Sequence, residues 1–562
     1  MPASFITTPP ELLEEILLST IRDAPRGPPA VLRSLLLTCR MSHEALSSET
    51  NPHLYLMLFL DKFDIASPRR HLSQERLTLQ NMGQEVRRRY AALQIVQRRD
   101  LWHPDLVEAF ATIYVMLLED DGRNWEQILW ADLPTFLQMF MRERLLEGAV
   151  GNHGWPLENE LNTLAIALFW LMRSSDRLNP ETEEFRRKNM DLLLPFAFAG
   201  FRYPCFTHPE NLFLPPENAP KATVLRHGIY PTDRPSKVVL QYFGEPTTLH
   251  LPPVAPFAIL NYFVRLEKLA LKIPPELPAN RQDAIAMGIL WGPTKEDIEH
   301  FNAHCTTRLA CAIYGDRLDA LLKSRRHDPD RHRSLFGSHC GSLSSLPGYY
   351  IPGTISGRWQ GSFIAPCQEV YRSMLSSQEA PSPFPTFGRF PLYVQFRELY
   401  CYSPSLPLPD NDEENSFFNG FLPIGCHWHE SESGIEFIGK NASFKAYYTP
   451  PRSNHHFRDF GNTNDASSIG AFDVIISGVT EEPYAAAWGG YKYIGRIRPS
   501  DGLVVLLREP LDSERVELGR ALFRGYIISS RNFVGRWRHV SSGEQPAEWE
   551  SIFTLCKEVA SS

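Results

Sequence analysis

Histidines and cysteines, and arginines set beside aromatic rings, are the residues of this chain whose types and spacing could do chemistry. His304-Cys305, Cys311, His327, His332 and His339-Cys340 bring borderline and soft metal ligands into one stretch. Their spacings match no structural zinc signature, and no Cys-x-x-Cys pair occurs. In Cys426-His427-Trp428-His429-Glu430, strand alternation puts both histidines on one face, but two ligands do not make a site. The chain has no Gly-x-Ser-x-Gly elbow, Walker loop, His-Glu-x-x-His or dinucleotide fingerprint. Its other carboxylates and histidines assemble into no catalytic constellation. The expectation is a protein that is not an enzyme and holds no metal or cofactor.

Arg358, Arg496, Arg524 and Arg536 are different, because each lies in a stretch that reads as a strand. From Gly348 onward the apolar period becomes alternating. Tyr491, Tyr493, Gly495 and Ile497 alternate with Lys492, Ile494, Arg496 and Arg498 up to the turn Pro499-Ser500-Asp501-Gly502. Leu503–Leu507 runs away from that turn, and Phe523–Ile528 with Phe533–Trp537 reads as a second hairpin. Further strand candidates are Arg358–Ile364, Tyr393–Tyr400, Ile435–Ile438, Ser443–Tyr448, Phe472–Ile476 and Ile552–Leu555. Eight to ten antiparallel strands are enough to close a barrel. Gly357-Arg358-Trp359 and Gly535-Arg536-Trp537 suggest tight bends at a glycine beside an inward tryptophan. The first of these is similar to the opening Gly-x-Trp of lipocalin-like barrels. Trp359, Trp488, Trp537, Tyr491 and Phe533 would either fill the barrel core or line an aromatic mouth that grips a peptide or small ligand. The four arginines could pair a carboxylate or phosphate there, or alternate outward into water.

Helical elements must hold such a barrel. Leu106 to Leu118, Phe136 to Leu146 and Leu161 to Trp170 carry apolar residues at helical spacing, which predicts helices packed in antiparallel pairs. No solenoid period is present. Residues 203–285 are rich in proline and read as irregular structure, with one strand-like run at Val238–Phe243. Lys323–His327 and Gly337–Ser345 read as an exposed connection. The basic clusters Arg87-Arg88-Arg89 and Arg98-Arg99 read as solvated helix faces.

At the N-terminus, Thr8 and Glu11 have capping-box spacing, with Pro9 and Pro10 in the first turn. Leu12, Leu13, Ile16 and Leu17 then form an amphipathic stripe. After a proline-rich loop, Leu32, Leu35, Leu36 and Cys39 predict a second helix, and Leu54, Leu58, Phe59 and Phe63 a third. Three short helices make a core too small to be comfortable alone, so a leftover apolar face would gain by meeting a partner. Pro10-Glu11-Leu12-Leu13, Ile16-Leu17, Leu36-Leu37-Thr38-Cys39-Arg40 and Asn51-Pro52-His53-Leu54-Tyr55 resemble the F-box of long fungal, basidiomycete-type proteins. The loop Asp23–Pro29 is longer than that pattern, and Met41-Ser42-His43 replaces a customary aromatic residue. The C-terminal run from Ala487-Trp488-Gly489-Gly490-Tyr491 to Asn532-Phe533-Val534-Gly535-Arg536-Trp537 resembles the same group. The resemblance implies a substrate receptor of a cullin–RING ubiquitin ligase. Pro9, Pro10, Leu12, Leu13, Ile16, Leu17, Leu37 and Cys39 would meet a Skp-type adaptor joined to a cullin scaffold. A barrel site built from Arg358, Trp359, Trp488, Tyr491, Arg496, Arg524, Arg536 and Trp537 would recruit an unknown substrate protein.

The expected architecture is thus multidomain α+β. An F-box occupies residues 1–65, a helical spacer 66–345, and an antiparallel β-barrel 346–562. The chain has 562 residues and a net charge of −8, from 57 basic against 65 acidic side chains, which makes no electrostatic case for nucleic acid. The longest apolar run, Leu164–Met172, is too short to span a membrane, and the start lacks a signal-peptide pattern. Nine scattered cysteines form no disulfide framework, so cytoplasm or nucleus is the expected compartment.

Overall fold

The computed structural model describes residues 9–172, 181–206, 223–225, 228–230, 237–303, 307, 319–335, 350–365, 367, 369, 371, 388–403, 405–409, 419–451, 471–498, 501–540 and 549–558. At the N-terminus four helices stand where three were expected: α1 (Pro10–Asp23), α2 (Ala30–Leu36), α3 (Arg40–Leu46) and α4 (Pro52–Lys62). The expected Leu32–Cys39 face breaks because Cys39 is extended, and its Sγ accepts the Ser42 N–H as the N-cap of α3. Asn51 caps α4 in the same way, accepting the Leu54 N–H at 3.0 Å, with Pro52 beside it in the first turn. Pro9 precedes α1 without a side-chain cap. Thr8 of the expected capping box lies outside the described residues.

Next come α5 (Ala66–His71) and α6 (Leu79–Gln97). Here the Arg87–Arg89 run is only in part the solvated face expected: Arg87 is exposed and Arg88 half-buried. Arg89 is fully buried over the Phe59 and Phe63 rings and pairs with Glu85 at 3.3 Å and Glu119 at 2.9 Å. Arg331 reaches the same Glu119 at 3.3 Å. A buried guanidinium persists only where carboxylates meet it, and Glu119 arrives from another helix, which local periodicity does not reveal. Arg98 and Arg99 are exposed.

The helical layer continues with α7 (Leu106–Leu118), α8 (Arg123–Trp130), α9 (Leu133–Glu143), α10 (Glu160–Leu171) and α11 (Glu183–Phe198). Two small hairpins follow, β1 (Thr223–Leu225) with β2 (Gly228–Tyr230) and β3 (Lys237–Tyr242) with β4 (Glu245–His250). The next helix, α12 (Val254–Leu266), is buried along nearly its whole length. The described residues of 203–285 are therefore more regular than expected. Pro256 falls in the first turn of α12, where its missing N–H leaves no helical bond unmade. Shorter helices are α13 (Arg281–Ala286), α14 (Lys295–Ala303) and α15 (Asp328–Leu335), the last preceded by a 3₁₀ stretch, Asp319–His327. Ser324, His327 and Arg331 are buried, so this stretch is not the exposed connection expected. Gly337–Ser345 lies outside the described residues.

Eight antiparallel strands close the barrel: β5 (Gly357–Ala365), β6 (Gly388–Cys401), β10 (Asp473–Thr480), β11 (Tyr491–Ile497), β12 (Val504–Pro510), β13 (Ala521–Ile528), β14 (Asn532–His539) and β15 (Ser551–Lys557). β5 and β6 pair with each other and join the first and last of the remaining run, β10 to β15. Ile435–Ile438 and Ser443–Tyr448 are not barrel strands. They contribute β8 (Gly434–Ile438) and β9 (Lys445–Tyr448) to a separate sheet opened by β7 (His427–Ser431). The short helix α16 (Glu482–Trp488) links β10 to β11.

Alternation splits the barrel side chains between two cores. Trp359, Phe396, Tyr493, Leu506, Phe523 and Phe533 form one. Ile475, Ile494, Val505, Leu507, Leu522 and Ile552 belong to the other, which runs on into the helices. Because both faces are covered, β13 is buried at every position. Glycine permits the tight curvature. A Cβ on Gly361, Gly495 or Gly535 would lie 1.9 Å from a carbonyl oxygen of the neighbouring strand, and on Gly525 2.0 Å.

Candidate functional sites: N-terminal surface and barrel rim

Helix α1 divides the expected adaptor residues between core and surface. Leu13, Leu17 and Ile21, spaced four apart, are buried with Leu32, Leu46, Leu54 and Leu58. Leu12 and Ile16 point the other way and are 51% and 55% exposed. Leu37, just past α2, is 76% exposed, and Met41 on α3 is exposed beside it in sequence. Pro9 is exposed, and Pro10 opens α1. Cys39 is exposed as a cap, and its hydrogen bonds from Ser42 hold the thiol below its usual range. Lys62 anchors the module from below: fully buried, its Nζ donates to the carbonyls of Ile21 and Ala24, both at 2.6 Å. The stripe read from the sequence thus includes two residues that hold the module together and two that face solvent.

The barrel residues do not converge on one site. Trp359 is fully buried, and its Nε1 donates to the Ile355 carbonyl at 2.6 Å, at the end covered by residues 350–356. Glu398 holds that cover by accepting the N–H groups of Gly353, Ile355 and Ser356 at 2.7, 2.7 and 3.0 Å. Arg358 faces outward, 3.6 Å from Glu481. Arg496 is buried with Asp473 at 2.8 Å, and it donates to the Leu408 carbonyl at 3.1 Å. Arg524 pairs with Glu550 and lies over the Phe206 ring at 4.9 Å. Arg536 has no exposure and donates to the carbonyls of Phe196, Phe198 and Tyr203 at 3.1, 3.4 and 2.8 Å. It therefore fastens the barrel to the end of α11. Each of these four arginines has a partner within the chain, and burying the last three requires one.

Aromatic side chains do gather at the opposite rim, where β5, β10, β12 and β14 end. Trp537 stands 4.7 Å from Phe363 and 5.1 Å from Trp549, and its Nε1 donates to the Ile364 carbonyl at 2.9 Å. Phe363 stacks on Phe390 at 5.4 Å, and Phe390 is 44% exposed. Tyr491 is buried on this rim, while Trp488 is half-buried at the end of α16. Among them sits Arg508, a residue sequence reasoning passed over. Its guanidinium lies 4.1 Å from the Tyr491 ring centre, 5.2 Å from Phe523 and 5.3 Å from Phe363. The signal was present: Val504 and Leu506 fill the barrel, and Arg508 continues their parity.

The described residues contain no cluster of three or more histidine, cysteine, aspartate or glutamate side chains able to hold a metal. His427 and His429 are both exposed on β7. His304-Cys305, Cys311 and His339-Cys340 lie outside the described residues, and half-buried His332 and His71 meet edge to face at 5.1 Å. No described helix is long and apolar enough to cross a membrane. No protein-family model, curated protein or solved structure matches this chain.

Proposed function

We propose that this chain is a non-catalytic substrate receptor of a cullin–RING ubiquitin ligase. In this reading the N-terminal helices are an F-box that docks a Skp-type adaptor, and the barrel recruits substrate. The observation that carries the reading is that Leu12, Ile16, Leu37 and Met41 stand exposed on a module whose core is already filled by Leu13, Leu17, Ile21, Leu32, Leu46, Leu54 and Leu58. The helices and barrel share one continuous core, so a substrate held on the barrel would stay at a set distance from the docking face. The receptor would then raise the effective concentration of substrate lysines near the ubiquitin-carrying enzyme without reacting itself.

Adaptor capture tests this. Leu12→Asp combined with Ile16→Asp, and Leu37→Asp separately, change solvent-facing positions and should leave the fold intact by circular dichroism. Each should abolish recovery of the adaptor. Equal recovery from the parent and all variants would remove the docking face. Leu13→Asp and Leu17→Asp are unsuitable, because both residues are core and the module would unfold.

A further inference from the structure

The rim around Arg508 has a chemistry that the receptor reading leaves unspecified. Arg508 is 3% exposed, yet no carboxylate pairs with it among the described residues. Its Nε is buried without a hydrogen-bond partner. Tyr493, its counterpart across the β11–β12 pair, is the hydroxyl beside it, and three rings enclose the rest of the group. Rings satisfy part of a guanidinium's charge but accept few of its N–H bonds. Neighbouring barrel arginines were built differently, since Arg496 has Asp473, Arg498 has Asp501 and Arg524 has Glu550. A buried cation with rings where its siblings have carboxylates is a place where an external carboxylate gains most.

Exposed apolar side chains stand beside this rim. Phe390 opens onto it directly. Met287, Leu290 and Trp291 are exposed on the segment after α13, and Leu511 and Val516 on the β12–β13 connection. These segments are joined to the rim: the Gly292 N–H donates to the Ala486 carbonyl at 2.9 Å, and the Leu511 N–H to the Gly490 carbonyl at 3.0 Å. Arg515 lies over the Trp291 ring at 4.3 Å and ties the two apolar segments together. Exposed apolar side chains running from the rim to the segment after α13 and the β12–β13 connection suit a chain of several residues rather than a single small molecule.

We infer that the Arg508 rim binds the free C-terminal carboxylate of a protein whose last residues are apolar. The carboxylate would meet the guanidinium, displacing ring contacts, and the preceding side chains would cover Phe390, Trp291 and Leu511. The inference rests on the receptor reading only in calling the bound protein a substrate; binding itself needs no adaptor.

The test uses the full-length purified chain on two immobilised libraries of random octapeptides, one ending in free carboxylates and the other in amides. The expected result is retention on the free-acid library alone, with apolar residues enriched at its final positions. Selected free-acid peptides should then bind about tenfold or more tightly than their amides by fluorescence anisotropy, the order expected for one charge-assisted contact. Arg508→Gln should remove the preference, and Trp291→Asp, at an exposed site, should weaken binding if Arg508→Gln fails to fold. Equal retention on both libraries, or none on either, would overturn the inference. Binding of decanoate without any free-acid peptide would also overturn it, in favour of a small apolar acid. Lost adaptor capture with intact peptide binding removes the receptor reading alone, and the reverse result removes this inference alone.

Discussion

At the scale of single residues, the chain buries charge in two ways that have opposite consequences. Arg89, Arg331, Glu85 and Glu119 neutralise one another, so removing one member would strand the rest. Asp120 is different. Its Oδ1 accepts the N–H groups of Gly122 and Trp125 at 3.0 and 2.8 Å, yet burial, and then the neighbouring Asp64 carboxylate, push its pKa up to about 7. A carboxyl raised in the folded state favours folding fully below its unfolded value near 3.8 and loses that contribution as pH rises to about 7. Asp120→Asn should therefore match the parent in urea midpoint at pH 4 and exceed it at pH 8. A tenfold change in proton affinity is worth about 1.4 kcal/mol, so a gain of about 1–3 kcal/mol is expected. A difference that does not vary with pH would show that Asp120 is not the group responsible. None of this was legible in the run Glu119-Asp120-Asp121, because its surroundings come from the α4–α5 connection, α6 and the 3₁₀ stretch.

At the scale of elements, the barrel depends on close backbone approach. Gly535 and Gly525 face each other across β13 and β14, and a Cβ on Gly535 would sit 1.9 Å from the Arg524 carbonyl. Backbone cannot retreat as a side chain can, so Gly535→Ala should cost about 3 kcal/mol or more, measured as a loss in denaturant midpoint. Gly200→Ala is a graded comparison. Its Cβ would meet the Arg536 guanidinium at 2.3 Å, a side-chain end able to shift only by giving up its bonds to the α11 carbonyls. A cost of about 1–3 kcal/mol is expected there. If both substitutions are neutral, neither the barrel curvature nor the Arg536 clamp matters as described. The strand alternation of this region was readable, and so was the inward Trp359. The partners of Arg524 and Arg536 were not, since Glu550 and the end of α11 are brought to them only by the closed fold.

At the scale of the whole molecule, the barrel's outer face is part of the helical core. Val505, Leu507, Leu522, Val534 and Ile552 join the helices in one apolar cluster, and α12 packs on β14 and β15. Residues 346–562 expressed alone should therefore expose that face, bind a hydrophobic dye and lose fixed near-ultraviolet dichroism. A fragment that is monomeric, dye-negative and melts at the parent's temperature would show that the barrel does not need the helices. By the same reasoning, the full chain should unfold its helices and barrel in one transition.

What the residues determined unaided were the properties carried by short-range pattern: an alternating C-terminal region, a helical layer before it, and an amphipathic helix at the start. Period and turn chemistry are local, so they survive without knowledge of the fold. Tertiary structure decided which apolar residues were spent on the core and which were left over. Leu13 and Leu17 became core while Leu12 and Ile16 stayed outside, because α2, α3 and α4 cover one side of α1. It also decided the fate of every buried charge, giving Arg496, Arg524 and Arg536 partners and leaving Arg508 among rings. Burial and pairing are relations between segments distant in the chain, and only the folded arrangement brings those segments together.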